Sequence, residues 1–355
     1  MQTMIRISGY RWLFWLLIAV MWLHCEKKNP LKPPPDEQEQ QEKPQTPTGW
    51  QAVGGNMAGQ TVQVIKPDPQ NPATIYAGTL EGVFKSTDGG KVWNACNNGL
   101  SNRDVTCLAL HPQNSSTLFC GTWGKGVFKS SDAGQTWQSA WSTGLTPLIN
   151  DVFVLNKTGG VSLWVGTLEG LYHSQDSGLT WSQVNRFGQV LTVNNIERDV
   201  QKIVISIRVF GFYRTLDGGA VWAATNSGTI KDTFGQEAAI DYDPHPSLSQ
   251  VAFALTDRDN LYKTTNGAAS WQSVPISKYK VIERVAFAVE PDQPDHLWLA
   301  AKHSGVYYSA NGGSDWQLLN TGLEKLELKT MAVVRNSKTQ IFVGTVNQGL
   351  YVYEK

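Results

Sequence analysis

The sequence lacks the residue spacings that metal or nucleotide chemistry would need. Its 355 residues include only four cysteines and six histidines, and no HxxxH or CxxC spacing occurs, so no metal site is expected. No phosphate-cradling glycine loop opens a helical pattern, which leaves no nucleotide fingerprint. The 30 basic and 30 acidic residues balance, and this argues against nucleic acid as a partner. No cofactor is predicted.

Long apolar runs are also scarce, and the clear one lies near the N-terminus. Arg6 and Arg11 precede the apolar run 12–23, which is too short to span a bilayer comfortably and is typical of a secretory signal. Cys25 follows this run and resembles the lipidated cysteine of bacterial lipoproteins. An ordinary signal peptide or an uncleaved N-terminal anchor is the alternative. We therefore expect residues 1–25 to direct an exported protein of the cell envelope, in the periplasm or at the cell surface.

Residues 26–48 contain several prolines and almost no apolar side chains. Such a composition cannot bury enough surface to offset the entropy of ordering. We expect this segment to be a disordered, proline-rich tether.

Three cysteines remain beyond the predicted signal, namely Cys96, Cys107 and Cys120. If Leu110 lies opposite Thr117 in adjacent strands, Cys107 faces Cys120. Directly opposed strand cysteines are usually strained when bridged, so buried free thiols are expected, with a cross-strand disulfide as the alternative.

A motif of serine or threonine, aspartate, glycine and tryptophan recurs along the chain. It reads VFKSTDGGKVW, VFKSSDAGQTW, LYHSQDSGLTW, FYRTLDGGAVW, LYKTTNGAASW and VYYSANGGSDW. Its tryptophans are Trp93, Trp137, Trp181, Trp222, Trp271 and Trp316, separated by 44, 44, 41, 49 and 45 residues. A period in the forties with several short strands per unit is typical of a β-propeller.

Counting the strands predicts seven blades. Each unit contains an apolar strand A such as VTCLAL, a strand B such as TLFCGT, a strand C such as GVFKS, and a strand D at the motif tryptophan. Strands A, B and C occur seven times, whereas the motif occurs six times. The missing strand D is GWQAV, so Trp50 to Val53 should pair with Leu350 to Tyr353 and close the ring. The predicted fold is all-β, with four-stranded antiparallel blades spanning residues 49–355.

The pattern S/T-x-D-x-G-x-x-W resembles the bacterial neuraminidase repeat, or Asp-box, over nearly all of residues 50–355. Its acidic position can accept hydrogen bonds from backbone N–H groups of its own turn. Asparagine can hold a turn but cannot act as a general base, which favours a structural role for this position in every copy. The residues concerned are Asp88, Asp132, Asp176, Asp217, Asn266 and Asn311. The fifth box has Ala268 in place of the second glycine and is expected to use a different, primed turn.

In a propeller, the A–B and C–D loops lie on one face, and the B–C loops and D–A crossings lie on the other. The boxes are C–D loops, so a binding site is expected on the opposite face. Its B–C loops carry alternating acidic, basic, amide and aromatic side chains that could bind a glycan or a polar peptide, and the crossings add residues such as Arg103. The alternative is a set of solvated loops. The candidates are Glu81, Trp123, Lys125, Glu169, Arg208, Phe210, Arg258, Lys302, His303 and Gln348.

A glycoside hydrolase is the alternative function. Asp104 and Asp151 are expected at equivalent positions before strand A of adjacent blades, where they could form a carboxylate pair. Asp-box glycosidases of the xyloglucanase type, however, use two propellers, and this chain has one. The sialidase F/Y-R-I-P motif and arginine grouping do not occur.

The single propeller behind an export signal also resembles the photosystem II stability and assembly factor family. That resemblance rests on the boxes and on the GT..GVF.S.D unit. It implies a seven-bladed, non-enzymatic binder of a partner protein, with Arg208 and Arg258 as candidates for that family's arginine patch. The sequence therefore predicts an exported, membrane-tethered, non-catalytic propeller that binds an envelope protein or a glycan on its B–C face.

Overall fold

The computed structural model describes residues 49–142, 144–157, 160–185, 188–195, 199, 201–229, 231–232, 235–258, 260–276 and 283–355. The predicted signal, the tether and Cys25 lie outside these residues. Within the described ranges, no helix is long and apolar enough to cross a membrane.

The described strands form seven four-stranded antiparallel sheets. The first strand of each sheet contacts the first strand of the next, and the last sheet contacts the first. This arrangement confirms the predicted seven-bladed propeller. A short 3-10 turn, Gly55–Met57, follows the first strand.

Strands are numbered in chain order, and each blade runs from strand A at the centre to strand D at the periphery. Blade 1 contains β2 (Val62–Pro67), β3 (Ile75–Thr79), β4 (Gly82–Ser86) and β5 (Asn94–Ala95). Blade 2 contains β6 (Val105–Leu110), β7 (Leu118–Thr122), β8 (Gly126–Ser130) and β9 (Gln138–Ser139). Blade 3 contains β10 (Ile149–Lys157), β11 (Gly160–Thr167), β12 (Gly170–Ser174) and β13 (Ser182–Asn185).

Blade 4 contains β14 (Val190–Asn195), β15 (Ile203–Ile207), β16 (Gly211–Thr215) and β17 (Ala223–Ala224), and a hairpin of β18 (Lys231–Asp232) and β19 (Gly235–Gln236) follows it. Blade 5 contains β20 (Ala239–Pro244), β21 (Ala252–Thr256), β22 (Leu261–Thr264) and β23 (Gln272–Val274). Blade 6 contains β24 (Arg284–Glu290), β25 (Gln293–Ala301), β26 (Gly305–Ser309) and β27 (Gln317–Leu319). Blade 7 contains β28 (Leu328–Arg335), β29 (Thr339–Thr345), β30 (Leu350–Glu354) and β1 (Gln51–Val53).

The hydrophobic core is divided among the junctions between blades. Each of seven clusters of buried side chains, counted over the described residues, joins two neighbouring sheets. Strand B is covered on both sides by these junctions, and β3 and β7 are buried at every position. A strand buried on both faces carries a continuous apolar run rather than an alternating one. This explains sequences such as LFCGT.

The glycine of the recurring GT pair lets neighbouring blades approach closely near the centre of the ring. A Cβ atom on Gly78 would lie 2.7 Å from a methyl carbon of Val105 in the next blade. The same atom on Gly166 would lie 2.9 Å from a methyl carbon of Val190. Side chains at these positions would therefore push strand A of the following blade outward.

The ring is closed by a strand from each end of the described chain. Ala52 of β1 pairs with Tyr351 of β30 in an antiparallel register. Trp50 contributes to the core between blades 6 and 7, and its ring centroid lies 5.5 Å from that of Tyr353. Its backbone N–H donates to the carbonyl oxygen of Thr321 at 2.8 Å. Trp50 thus occupies the place that the box tryptophans occupy elsewhere.

The expected register of the two buried cysteines is wrong by one residue. Leu110 pairs with Leu118, so Cys120 lies opposite Leu108 and not opposite Cys107. Cys107 therefore joins the core between blades 2 and 3, whereas Cys120 joins the core between blades 1 and 2. The two thiols lie on opposite faces of the sheet and are free. Burial raises the pKa of Cys107 to about 12.

Candidate binding face

Two sets of loops form the two faces of the ring. The box turns bond to the A–B loops, as when Gly89 N–H donates to the carbonyl oxygen of Ala73 at 2.9 Å. The B–C loops bond to the D–A crossings, as when Trp123 N–H donates to the carbonyl oxygen of Asp104 at 2.9 Å. We call the first set the box face and the second set the B–C face.

The box face repeats one hydrogen-bond pattern. In the first box, the Ser86 hydroxyl donates to Oδ1 of Asp88 at 2.8 Å, and Asp88 accepts the N–H groups of Lys91 and Val92 at 3.0 Å. Ser86 also accepts the N–H of Gly90 at 2.9 Å. These bonds leave the carboxylate occupied by its own turn. Desolvation opposes them, but the bonds from Val92, Ser86 and Lys91 lower the pKa of Asp88.

The two asparagine boxes have the same geometry as the aspartate boxes. Asn266 accepts the Thr264 hydroxyl at 3.0 Å and the N–H of Ser270 at 3.0 Å. The expected change of turn in the fifth box is wrong, because Gly267 and Ala268 have φ values of 65° and 57°, the same positive region used by the other boxes. The N–H of Ala268 donates to the Thr264 hydroxyl at 3.0 Å, as the N–H of Gly90 does to Ser86 in the first box.

The candidate residues on the B–C face fall into two groups. Those of blades 3 to 6 already have neighbours. Glu169 accepts the Thr146 hydroxyl, and Arg208 lies 3.4 Å from the Gln189 side-chain oxygen. Lys302 and His303 face Glu327 and Glu283 at 3.1 and 3.6 Å.

Arg258 of blade 5 is half-buried beside a buried carboxylate that sequence reasoning missed. Glu237 is fully buried and accepts the Thr256 hydroxyl at 2.7 Å and the Asn260 side-chain amide at 2.8 Å. Burial raises the pKa of Glu237, although these bonds and the charge of Arg258 act in the opposite direction. The hydrogen bonds of Glu237 to Thr256 and Asn260 stabilise the B–C loop of blade 5. Phe210 of blade 4 is 54% exposed beside Val209, which has a φ of 73°.

The candidates of blades 7, 1 and 2 are exposed, and three of them have free side chains within the described ranges. Glu81, Lys125 and Gln348 are exposed, and their side chains have no hydrogen-bond or ion-pair partner in the described part of the chain. Trp123 is 43% exposed. Arg103, in the crossing between blades 1 and 2, is also exposed and unpaired within the described ranges. The B–C loops of blades 7, 1 and 2, together with the crossing between blades 1 and 2, form one sector of this face, and the exposed side chains of Gln348, Glu81, Arg103 and Lys125 in it have no partner among the described residues.

An open cleft of about 440 Å³ lies in this sector. Its apolar surface comes from Leu80, which is 45% exposed, and from Phe84 and Ala95. Glu81 and Arg103 lie on its walls. The lining of this concave surface is mostly polar, with exposed Leu80 among its apolar groups.

Fixed hydrogen bonds shape the cleft. The Thr61 hydroxyl donates to the Asn347 side-chain oxygen at 2.7 Å and ties blade 7 to the crossing into blade 1. Asn97 accepts the N–H of Val83 at 2.8 Å and donates to the carbonyl oxygen of Glu81 at 3.2 Å. The N–H of Leu80 also donates to the carbonyl oxygen of Thr61 at 3.3 Å, so the B–C loop of blade 1 is held at both ends and the cleft is preorganised.

Asn97 belongs to a second repeat that the analysis of the sequence missed. The tripeptides NNG, NSG and NTG follow strand D at Asn97, Asn226 and Asn320. Asn226 accepts the N–H of Phe212 at 2.6 Å, as Asn97 does for its own blade. A Cβ on Gly228 would lie 1.8 Å from the carbonyl oxygen of Trp271. These tripeptides begin four residues after the box tryptophan in all three blades, and this constant spacing is the sequence signal for the hydrogen bonds that Asn97 and Asn226 make to their B–C loops.

The proposed carboxylate pair does not occupy equivalent positions. Asp151 lies inside β10 opposite Gly166, the place that Cys107 takes opposite Gly121 in blade 2. Asp104 precedes its strand and accepts the Gln63 side-chain amide at 2.7 Å. Asp151 thus lies three residues further along strand A than Asp104 does in its own blade.

Asp151 belongs instead to a set of carboxylates that fasten the inner strands. It accepts the N–H of Val193 in blade 4 at 2.8 Å, and Asp243 of blade 5 accepts the N–H of Val289 in blade 6 at 2.6 Å. Burial raises the pKa of Asp151 to about 6 and that of Asp243 to about 7. These carboxylates satisfy backbone donors that the central edge of a sheet would otherwise leave unpaired.

Known proteins share this architecture. A family model described as sortilin, neurotensin receptor 3, matches residues 211–351, which is less than half of the chain. The Vacuolar protein sorting/targeting protein 10 of Arthroderma gypseum is 29% identical over 124 residues, covering 32% of this chain and 8% of the relative. The chain thus spans a small fraction of that curated relative.

Solved structures match over more of the chain. YCF48 from Cyanidioschyzon merolae has a TM-score of 0.65 at 16% identity, covering 86% of this chain and 98% of that chain. YCF48 bound to D1 peptide has a TM-score of 0.63 at 14% identity, with coverage of 86% and 97%. An ancestral GH74 enzyme has a TM-score of 0.64 at 19% identity, with coverage of 86% and 46%.

The chain is a seven-bladed propeller of the Asp-box type. The repeated turns, the seven sheets and these structural likenesses agree on that fold. Identities below one fifth carry no conclusion about ligands, so the site has to be argued from its own geometry.

Proposed function

We propose that this propeller is a non-catalytic binding protein that holds a partner protein on its B–C face, in the cleft of blades 7, 1 and 2. The observation that carries the proposal is the cleft itself, whose lining includes exposed Leu80 together with Glu81 and Arg103, two charged side chains without a partner among the described residues. Elsewhere on this face, most candidate side chains already have neighbours within the chain. Exposed aromatic and arginine side chains such as Trp123 and Arg103 are the types that contribute most to protein interfaces.

Two of the similar proteins support a protein partner over a glycan. YCF48, which matches nearly over its whole length, has been solved with a D1 peptide. The curated relative is a protein sorting and targeting protein. By analogy, a segment of another protein is the ligand we expect here.

Hydrolysis is disfavoured by the positions of the two candidate carboxylates. Asp151 is held by two backbone N–H groups, from Val152 at 2.9 Å and from Val193 at 2.8 Å. Asp104 is not its counterpart in the neighbouring blade. A retaining or inverting pair needs two carboxyl groups flanking one bond.

The test is a pull-down of the envelope fraction with the purified propeller, followed by affinity measurement with the captured protein. Trp123→Ala and Arg103→Glu should each weaken binding by about tenfold or more, the scale of a hot-spot residue. Leu179→Ala is the matched control, because this leucine is 80% exposed on the box face. Equal affinity of all three variants, or capture of a polysaccharide instead of a protein, would contradict the proposal.

We propose further that the propeller is exported and that Cys25 anchors it to a membrane. Support comes from the apolar run 12–23 and the proline-rich segment 26–48 that follows Cys25. Metabolic labelling with a radioactive fatty acid should mark the wild type and leave Cys25→Ala unlabelled. Labelling of both proteins, or of neither, would remove the anchor from the proposal.

A further inference from the structure

Three asparagine–glycine pairs occur in the sequence, and they lie in two kinds of turn. Asn266 and Asn311 occupy the aspartate position of the fifth and sixth boxes. Asn98 belongs to the NNG tripeptide that follows strand D of blade 1. Asparagine is a thermolabile residue, and it deamidates most readily before glycine, which has no Cβ to shield its backbone nitrogen. The surroundings of each pair decide whether it reacts in the folded protein.

Deamidation joins the asparagine side chain to the backbone of the next residue. The glycine nitrogen attacks Cγ of the asparagine, the bond from Cγ to the side-chain nitrogen breaks, and that nitrogen leaves as ammonia with the proton of the glycine N–H. The product is a five-membered succinimide. One water molecule then adds to either carbonyl carbon of this ring and opens it to aspartate or isoaspartate. A hydrogen bond from the glycine N–H, or to the asparagine amide, opposes the attack.

The fifth box holds both reacting groups of its asparagine–glycine pair. The N–H of Gly267 donates to the carbonyl oxygen of Gln250 at 2.9 Å. The Asn266 side-chain nitrogen donates to the Ser270 hydroxyl at 2.9 Å, and its side-chain oxygen accepts the Thr264 hydroxyl at 3.0 Å. The attack would have to break these bonds.

The sixth box holds its pair in the same way. The N–H of Gly312 donates to the carbonyl oxygen of Asp295 at 2.9 Å. The Asn311 side-chain nitrogen donates to a carboxylate oxygen of Asp315 at 3.1 Å, and its side-chain oxygen accepts the Ser309 hydroxyl at 3.0 Å. The hydrogen bonds that shape a box turn therefore also protect the asparagine that takes the aspartate position.

Both reacting groups of the third pair are free. The Asn98 side chain is exposed and has no hydrogen-bond partner among the described residues. Gly99 is also exposed, and its N–H has no acceptor within the described ranges. Two bonds hold the rest of the turn, from Trp137 N–H to the carbonyl oxygen of Asn98 at 2.8 Å and from Leu100 N–H to that of Asn97 at 3.0 Å. The attack needs a local opening of this turn, but no bond of the two reacting groups has to break.

We propose that Asn98 is the deamidation site of the folded propeller, whereas the box turns protect Asn266 and Asn311. The site adjoins the cleft of the B–C face, because the neighbouring Asn97 lines that cleft and accepts the N–H of Val83. Aspartate at position 98 adds a negative charge next to Asn97. Isoaspartate instead places a side-chain carbon in the main chain of the turn.

Incubation of the folded full chain in mildly alkaline buffer tests the site, because base promotes loss of the glycine N–H proton. Samples are digested in acid, and the peptides that contain each pair are quantified by mass spectrometry. Deamidation of Asn98 should exceed that of Asn266 and Asn311 by about tenfold or more, the scale set by the further hydrogen bonds that the boxes must break. In denaturant, the three pairs should react at similar rates. Equal rates in the folded chain, or the same preference for Asn98 in denaturant, would overturn the proposal.

Asn98→Ser is the matched variant, since Ser227 occupies the same place in blade 4 and its carbonyl oxygen accepts the N–H of Trp271 at 2.8 Å. Ion-exchange chromatography of the intact protein reads the acidic form that deamidation produces. This form should accumulate about tenfold more slowly in Asn98→Ser than in the wild type, because only protected pairs remain. An acidic form that accumulates equally fast in both proteins would place the reaction at another residue and overturn the proposal.

Discussion

The two faces of the ring differ in how much they repeat. On the box face, residues of six blades make the same turn with hydrogen bonds between 2.6 and 3.0 Å from the serine or threonine hydroxyl to the acidic or amide oxygen. On the B–C face, each loop carries different side chains, and Gln348, Glu81 and Lys125 of blades 7, 1 and 2 are unpaired within the described residues. Repetition indicates a scaffold that every blade needs. Side chains that differ from loop to loop indicate the face on which a ligand could bind to some blades and not to others.

The largest expected effect separates a scaffold tryptophan from a surface tryptophan. Trp93 is fully buried in the core between blades 7 and 1, so Trp93→Ala should lower the free energy of unfolding by about 3–5 kcal/mol. Trp123→Ala on the B–C face should lower it by less than about 0.5 kcal/mol. Denaturant titration measures both. Similar losses of stability in the two variants would contradict the assignment of Trp93 to the scaffold and of Trp123 to the exposed B–C face.

The next largest expected effect is a pH dependence of the folding stability, which arises from the carboxylates of the central strands. An unfolded aspartate has a pKa of about 3.9, whereas Asp243 has a folded pKa of about 7 and Asp151 of about 6. The folded state therefore binds these protons more tightly. The stability they contribute is present below about pH 4 and is lost as the pH rises through about 7.

Melting temperatures recorded across this window should fall by several degrees for the wild type. Asp243→Asn cannot ionise but keeps an oxygen for the N–H of Val289, so it should flatten the upper part of the curve. An unchanged slope in this variant would show that Asp243 is ionised in the folded state at low pH.

A smaller effect tests the equivalence of aspartate and asparagine in the boxes. Asp88→Ala removes the acceptor for the N–H groups of Lys91 and Val92 and should cost about 1 kcal/mol, like the loss of a helix cap. Asp88→Asn should cost much less, because Asn266 and Asn311 hold the same turn. Thermal unfolding of the two variants decides this. Loss of partner binding by Asp88→Ala without loss of stability would move the site to the box face.

The smallest expected effect tests whether the binding surface is limited to blades 7, 1 and 2. Lys302 and Glu327 form an ion pair whose side chains are each 37% exposed. Such pairs contribute little, so Glu327→Gln should change stability by less than about 0.5 kcal/mol. Because blade 6 lies outside the cleft, partner affinity should also stay unchanged. A strong loss of affinity would extend the binding surface around the ring.

The fold was predictable because its evidence repeats. The box tryptophans recur at nearly constant spacing, and the strand patterns between them recur with them. The site was predictable only in part. The positions of Glu81 and Trp123 on the B–C face follow from loop order, whereas the hydrogen bonds of Asn97 to the B–C loop of its own blade and the exposure of Leu80 depend on how the folded loops pack. Asp151 was misplaced because Ile149 pairs with Thr167 as Val105 pairs with Thr122 in blade 2, so strand A of blade 3 begins before Asp151 and not after it.

The sequence by itself determined the number of blades, the strands within each blade and the turn that joins strands C and D, because these depend on contacts among residues close in the chain. The tertiary structure alone decided that Cys107 and Cys120 lie on opposite faces of their sheet and which charges on the B–C face are paired. Those outcomes depend on the register between strands and on how loops meet in the folded ring, and the contacts that set them join residues that are not neighbours in the chain.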